Sequence, residues 1–175
     1  HLCGAAVAFK LCQGLARAFG VDEDDLHPFL DLVGLATVAD LVPLKGENRV
    51  LARYGLRALS QTVNPGLRAL MGEAGIPKAE VSAGKVGFGL APRLNALGRL
   101  GEPRDGLRLL LTDDEREARA LARRAEEINQ ERQSQDRQTL AEALNLLELG
   151  YSPERDFGVV LDSDNWHPGV VGIVA

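Results

Sequence analysis

Three short stretches of this sequence hold side chains that could do chemistry. The first is DLVGLATVADLVPL, residues 31–44, an almost wholly apolar run without the alternation of a half-buried strand, in which Asp40 sits between Ala39 and Leu41. A carboxylate among such neighbours is costly unless it is paired or bound to a cation. Asp40 therefore reads either as a turn carboxylate bonding nearby amides or as a ligand for a hard cation. The second is GFGLAPRLNALGRLGEPRDGLR, residues 87–108. Counting from Lys85, five basic residues (Lys85, Arg93, Arg99, Arg104, Arg108) stand there against two acids (Glu102, Asp105), in a chain of net charge -5. Glycines admit close backbone approach and guanidinium forks match phosphate oxygens. The stretch suits phosphate contact or, more plainly, a solvated irregular surface. The third is NWHPG, residues 165–169. Its histidine follows an expected strand and precedes a helix start, where ligands gather in α/β folds, although a lone histidine is more often structural. No Ser/His/Asp or Cys/His set assembles from the remainder.

The elements that must position these groups are mostly helices. Residues 4–19 place Val7, Leu11, Cys12, Leu15 and Phe19 at helical spacing, which predicts a core-facing helix ended by Gly20. The acidic residues 21–28 read as a surface connection, with Pro28 in the first turn of a second helix that is apolar on every side and reaches about Ala39. Val50, Leu51, Tyr54, Leu56 and Leu59 mark a third helix, and Asn64 followed by Pro65 opens a fourth. Residues 79–103 read as glycine-dense and irregular, with a short helix after them. Thr112 and Glu115 fit a capping box that starts a long helix ending near Leu147, roughly 50 Å at 1.5 Å per residue. Its ends carry apolar stripes (Ala118, Leu121, Ala125, Ile128; then Leu140, Leu144, Leu147), while NQERQSQDRQ between them is polar all round. That pattern suits a bridge between two bodies better than a coiled coil, because the heptads are interrupted. Residues 157–164, FGVVLDSD, read as a buried strand, Trp166 as a core residue or interface anchor, and Pro168 as a helix start.

Composition narrows the classes. A chain of 175 residues with 45% apolar content can bury a sizeable core, as one domain or one domain and part of another. The acidic balance excludes an overall basic field for polyanions, though not a locally basic cleft. Cys3 and Cys12 lie nine residues apart in one expected helix, ~13 Å at helical rise, too far for a disulfide, so they read as buried thiols in a reducing compartment. Three scattered histidines and two distant cysteines give no zinc spacing. No apolar run approaches membrane-spanning length, and no signal peptide is seen. The chain opens without methionine and closes inside an apolar segment, which suggests a piece of a longer protein.

Taken in order, LCGAAVAFKL, LATVADLVPL followed by ENRVLARYGLRAL, GFGLAPRLNALGRLG, INQERQ and NWHPGVVGIVA resemble the RecJ-type single-strand-specific 5′ exonucleases of the DHH phosphoesterase superfamily. The resemblance covers nearly the whole chain and is weakest at residues 21–27 and 61–82. It implies an α/β protein: residues 1–111 as the mostly helical C-terminal part of a DHH domain, 112–148 as a long connecting helix, and 149–175 as the first strand and helix start of a DHHA1 domain. It further implies hydrolysis of phosphodiester bonds in single-stranded DNA with Mn²⁺ or Mg²⁺ held by aspartates and histidines. Asp40 then corresponds to the aspartate of the family's fourth motif, a catalytic metal ligand. Arg93, Asn95, Arg99 and His167 would contact phosphate or substrate, and Asn129, Arg132 and Gln133 would line the cleft or an interdomain contact. A single-strand-binding protein and a RecQ-type helicase are the partners the resemblance suggests, with a monomer in the cytoplasm and a role in repair and recombination. The family's first three metal motifs and its second-domain glycine- and histidine-rich motif are absent, so the chain by itself is expected to be inactive. The rivals are another DHH phosphoesterase, such as an oligoribonuclease or cyclic-dinucleotide hydrolase, and a non-catalytic DHH-type scaffold that binds nucleic acid.

Overall fold

Helices make up every regular element among residues 2–152 and 154–175, which the computed structural model describes. In chain order they are α1 (Gly4–Phe19), a 3-10 run (Glu23–Phe29), α2 (Leu30–Ala39), α3 (Glu47–Ser60), α4 (Pro65–Glu73) and, after a short 3-10 turn, α5 (Ala83–Lys85). A π-helical turn (Val86–Leu90) then runs directly into α6 (Ala91–Arg99), followed by α7 (Pro103–Leu111), α8 (Glu115–Gly150) and α9 (Pro168–Val174). The glycine-rich stretch expected to be irregular is thus largely helical. Two of its glycines, Gly87 and Gly89, lie in the wide π turn, and Pro92, which has no N–H to give the ladder, sits directly after it in the first turn of α6.

The centre of the fold is the pair α2 and α3. As its all-round apolar composition requires, α2 buries Val33, Gly34, Leu35, Thr37 and Val38. Against it lies α3, at the distance that glycine alone permits: a Cβ on Gly34 would come within 2.5 Å of the carbonyl carbon of Gly55. The larger core then spreads from Leu35 and Val38 through Leu59, Leu67, Leu70, Val86, Leu90 and Leu97 to Leu121, Ala125 and Ile128 of α8. A smaller cluster joins α1 to α2 and α3 through Cys3, Ala6, Phe9, Val33 and Leu51.

A polar thread runs beside that core. The Thr62 hydroxyl donates to the Asp31 carboxylate at 2.6 Å, and the same hydroxyl accepts from the Asn64 amide at 3.1 Å. Asn64 caps α4 by accepting from Leu67 N–H at 3.0 Å, and its side-chain amide donates to the Leu110 carbonyl at 2.9 Å. Asp31 is buried, 6% exposed, so these bonds replace the water it has lost.

Several expectations are corrected. In α1 the large residues Val7, Leu11, Leu15 and Phe19 face outward, and the narrow edge Cys3, Ala6, Phe9 and Ala16 faces inward. The small groups let the helix approach until Cys3 Sγ stands 3.6 Å from Thr37 Oγ1; a row of leucines would hold it further away. Both cysteines are free, and Cys12 is exposed rather than buried. Pro28 lies inside the 3-10 run, with α2 starting two residues later. The cap of α8 is Asp114, which accepts from Arg116 N–H at 2.7 Å, while Thr112 instead donates to Glu117 at 2.6 Å. The second stripe of α8 is only partly covered, with Leu140 and Leu144 half exposed.

The expected first strand of a second domain is not formed: among the described residues no strand occurs, and 157–164 has no regular structure. A strand needs a neighbour for its backbone amides, and none lies beside this segment; Phe157 and Val160 are almost fully exposed. No described helix is long and apolar enough to cross a membrane.

Because backbone meets backbone where α2 crosses α3, Gly55→Ala or Gly34→Ala should destabilise the fold by about 1–3 kcal/mol through overpacking. Urea unfolding followed by far-ultraviolet dichroism checks this. An unchanged midpoint would show that the helices can part without loss.

Candidate functional site

Asp40 is the C-cap of α2, where the helix runs out of buried face. Its N–H bonds the Ala36 carbonyl at 2.9 Å, but its carboxylate has no hydrogen-bond or ion-pair partner among the described residues, and it is exposed. The expectation of a carboxylate embedded among apolar groups is therefore wrong for Asp40 and right for Asp31, nine residues earlier in the same run. At 100° per residue the two lie a half-turn apart around α2, on opposite faces, and only Asp31 falls inside the packed turns. Leu41 follows Asp40 with φ +52°, in the left-handed region that costs a side-chain-bearing residue about 1–2 kcal/mol, and it is 86% exposed.

Beside this turn runs a groove of about 490 Å³ between the end of α2 and the π turn with α6. Ala39, Leu41, Leu44, Phe88, Pro92 and Asn95 are among its lining residues. Asn95 is thus the member of the basic stretch that the fold brings to Asp40's neighbourhood.

The arginines go elsewhere. Arg93 points at α8: its Nε lies 2.5 Å from Glu126 Oε2 in ion-pair contact without hydrogen-bond alignment, and its Nη1 donates to the Gly89 carbonyl at 2.6 Å. Both partners are largely buried, so Arg93 clamps α6 to α8 and is not free to take a phosphate. Lys85 pairs with Glu80, and Arg108 pairs with Glu117 at 2.5 Å. The local positive charge read from the sequence is thus mostly neutralised by acids outside the stretch. Arg99 and Arg104 have no acidic partner among the described residues. Arg99 Nη1 donates to the Gly169 carbonyl at 3.1 Å, which joins the end of α6 to the start of α9.

His167 is the N-cap of α9, its Nδ1 accepting from Gly169 N–H at 3.0 Å, so the structural role it shares with capping residues is real, and the residue is exposed. Arg99 and His167 therefore meet around Gly169, brought together from 68 positions apart in the numbering. On α8, Asn129 is buried and its Oδ1 accepts from the Arg132 guanidinium at 3.3 and 3.4 Å, while Arg132 Nη1 donates to Asp136 at 2.7 Å. Gln133 is exposed. The polar middle of the helix is thus an internally satisfied network on one face with Gln133 outside it. Trp166 is an anchor as expected: its indole N–H donates to Glu142 at 2.9 Å.

A divalent cation of the hard type needs several oxygen ligands. Among the described residues no group of three or more His, Cys, Asp or Glu side chains converges to supply them. Asp40 fits as one ligand: both oxygens are unclaimed, and it stands at a helix C-terminus, where the partial negative charge of the backbone favours a cation. The described residues could contribute one corner of a metal centre and not the whole of it.

Two tests separate the structural residues from the open ones. Arg93→Ala should cost about 1–3 kcal/mol by leaving Glu126 Oε2 without its cation, Oε1 keeping only the bond from Gln130, whereas Asp40→Ala should move stability by no more than ~0.5 kcal/mol, both read from urea midpoints. Equal losses would contradict the assignment. The bond from Gln138 and then that from Trp166 hold the Glu142 carboxyl below the usual carboxylate range. Its contribution is present above that range and lost as pH falls through the lowered value. The fluorescence of Trp166, the single tryptophan, should therefore shift on acidification, and Glu142→Gln should abolish the transition. A transition persisting in the glutamine variant would overturn the assignment to Glu142.

No family model matches the chain. Individual proteins do. It is 40% identical over 175 residues to the single-stranded-DNA-specific exonuclease RecJ of Bacillus subtilis, covering 100% of this chain and 21% of that protein. It is 42% identical over 173 residues to RecJ of Thermus thermophilus, covering 98% and 24%, and 39% identical over 188 residues to RecJ of Escherichia coli, covering 99% and 32%. Its fold superimposes on crystal structures of Thermus thermophilus RecJ in complex with Mn²⁺ and with Mg²⁺, each with a TM-score of 0.85 at 40% identity. The first comparison covers 98% of this chain and 25% of that one. The chain spans between 21% and 32% of the length of these curated relatives. From end to end, in sequence and in fold, it matches a segment of the RecJ single-stranded-DNA-specific exonucleases.

Proposed function

We propose that the protein carrying this chain is a metal-dependent single-stranded-DNA exonuclease that hydrolyses phosphodiester bonds from the 5′ end, and that this segment supplies one of its metal-holding aspartates, Asp40. The observation that carries the reading is the end-to-end likeness, at about 40% identity and a TM-score of 0.85, to RecJ structures that hold Mn²⁺ or Mg²⁺. An unclaimed carboxylate at a helix C-terminus supports the place of Asp40 in it. Bound Mn²⁺ or Mg²⁺ would supply charge neutralisation at the phosphodiester and activation of water. The chain's own residues do the rest of what falls to this segment. Asp40 would hold the cation, Asn95 would offer an amide from the adjoining groove, and Arg99 has guanidinium N–H groups beyond the one that meets Gly169. His167 stands exposed beside Arg99, and together they form an anion-facing corner at the α6–α9 junction. Arg93 positions α6, and Asn129 and Arg132 stiffen the middle of α8, leaving Gln133 as the residue of that trio open to a ligand.

In the same reading, residues 1–111 belong to the DHH domain, α8 is the connecting helix, and residues 149–175 open a DHHA1 domain. A cytoplasmic monomer acting in repair, with a single-strand-binding protein and a RecQ-type helicase as partners, is the setting the resemblance offers.

The test uses this chain extended to the length of its relatives. Nucleotide release from 5′-phosphorylated single-stranded DNA should require Mn²⁺ or Mg²⁺, spare a duplex, and fall by more than about 100-fold in Asp40→Ala, which removes a ligand from the metal itself. Full activity in that variant would return Asp40 to a turn carboxylate. The 175-residue chain alone, with one such ligand, should release nothing.

A further inference from the structure

We propose that the groove beside Asp40 is a base-stacking subsite, in which Phe88 and Leu41 take the faces of a nucleobase of single-stranded DNA and Asn95 takes a polar edge. The inference rests on the exonuclease reading above and adds a substrate contact to it. Phe88 is 90% exposed, a large aromatic surface held in water, although its neighbours Val86 and Leu90 are wholly buried. At about 100° per residue Phe88 lies across the helix from both Val86 and Leu90, so it faces outward while they face the core; the turn that carries it is π-helical, the Ala91 N–H reaching back to the Val86 carbonyl. Leu41, from the end of α2, lines the same groove, is 86% exposed and sits in the left-handed backbone region. Two greasy side chains displayed from two separate elements, one by a wide turn and one by a strained residue, are features that mark working sites rather than packing.

The rest of the groove selects the occupant. Gly84 and Gly87 form part of its wall, and a Cβ on Gly84 would meet nothing within 4 Å, so flat space is left open there. Asn95 adds an amide that can both donate and accept, which suits the mixed edge of any base without choosing among them. Asp40 stands between two lining residues, Ala39 and Leu41, so a cation held by it would lie next to whatever fills the groove. An occupant with an apolar face, a polar edge and an adjoining anion is a nucleotide of a single strand, whose bases are free to stack on side chains. The exposed stripe of α1 (Val7, Leu11, Leu15, Phe19) has apolar area but belongs to one regular helix with no second element displaying a side chain towards it in a shared groove, and the same argument does not apply there.

The experiment compares two single-stranded oligomers of equal length with phosphorothioate links that resist digestion, one of thymidines and one of abasic sites, binding to the extended protein by fluorescence anisotropy. Stacking predicts that the base-bearing oligomer binds about 5- to 150-fold more tightly. Phe88→Ala should shrink that ratio towards unity with the abasic affinity unchanged, and Phe88→Trp should keep it. A ratio unaffected by Phe88→Ala overturns the subsite. So does a variant that loses affinity equally for both oligomers together with thermal stability, because Phe88 would then be packing against protein. If the wild type binds neither oligomer, the exonuclease reading itself fails, an outcome distinct from both.

Discussion

The arrangement depends on the contact of α2 with α3 at Gly34 and Gly55. Without side chains at those two points the helices touch backbone to backbone, which lets α2 be covered along nearly its whole length. Covering α2 leaves only its far end in solvent, and that end is Asp40. If the helices were held apart by ordinary side chains, the apolar run would be partly wet and the carboxylate would no longer mark a sharp boundary between core and water. The polar thread from Asp31 through Thr62 and Asn64 to the Leu110 carbonyl serves the same geometry from the other end. It ties the start of α2 to the α3–α4 turn and to α7, so that the helix is fixed at one end and its C-terminus is presented at the other.

The charges are partitioned in a comparable way. Acids elsewhere on the chain neutralise several of the basic groups that cluster between Lys85 and Arg108, and the pairs that result are structural: Arg93 with Glu126 locks α6 to α8, and Arg108 with Glu117 locks α7 to it. What stays unpaired is spatially selective. Asp40 and Asn95 remain open at one end of the α2–α6 groove, and Arg99 and His167 meet at the other end of α6. Along this nine-residue helix Arg93 is clamped near the start, while Asn95 at the centre and Arg99 at the end have no acidic partner among the described residues. That distribution suits a cleft that must hold cations and anions at separate points, since an unpaired arginine beside Asp40 would compete with a metal for its carboxylate.

Much of this was legible beforehand, and the failures are instructive. Helix spacing, the Gly20 and Asn64 caps and the long α8 all follow from short-range pattern, because each depends on neighbours within a turn or two. The ordered motifs identified the RecJ-like segment for the same reason: motif order is itself linear information. The orientation of α1, the burial of Asp31 rather than Asp40, and the real partners of Arg93 were not legible. Each is decided by which face another element happens to cover, and a partner such as Glu126 sits more than thirty positions away.

The sequence by itself therefore determined most of the helices between residues 4 and 150, though not those within 21–28 and 79–103, together with their approximate order and the kinship with a nuclease segment. Tertiary structure decided which carboxylate is buried and which is free, which arginines are clamps and which are open, and that Phe88 faces water from a π turn. It also decided that FGVVLDSD, for all its β-branched residues, is not a strand among the described residues. The physical reason is common to all of these. Helices close their hydrogen bonds locally, whereas burial, ion pairing and strand formation require a partner whose position no local pattern encodes.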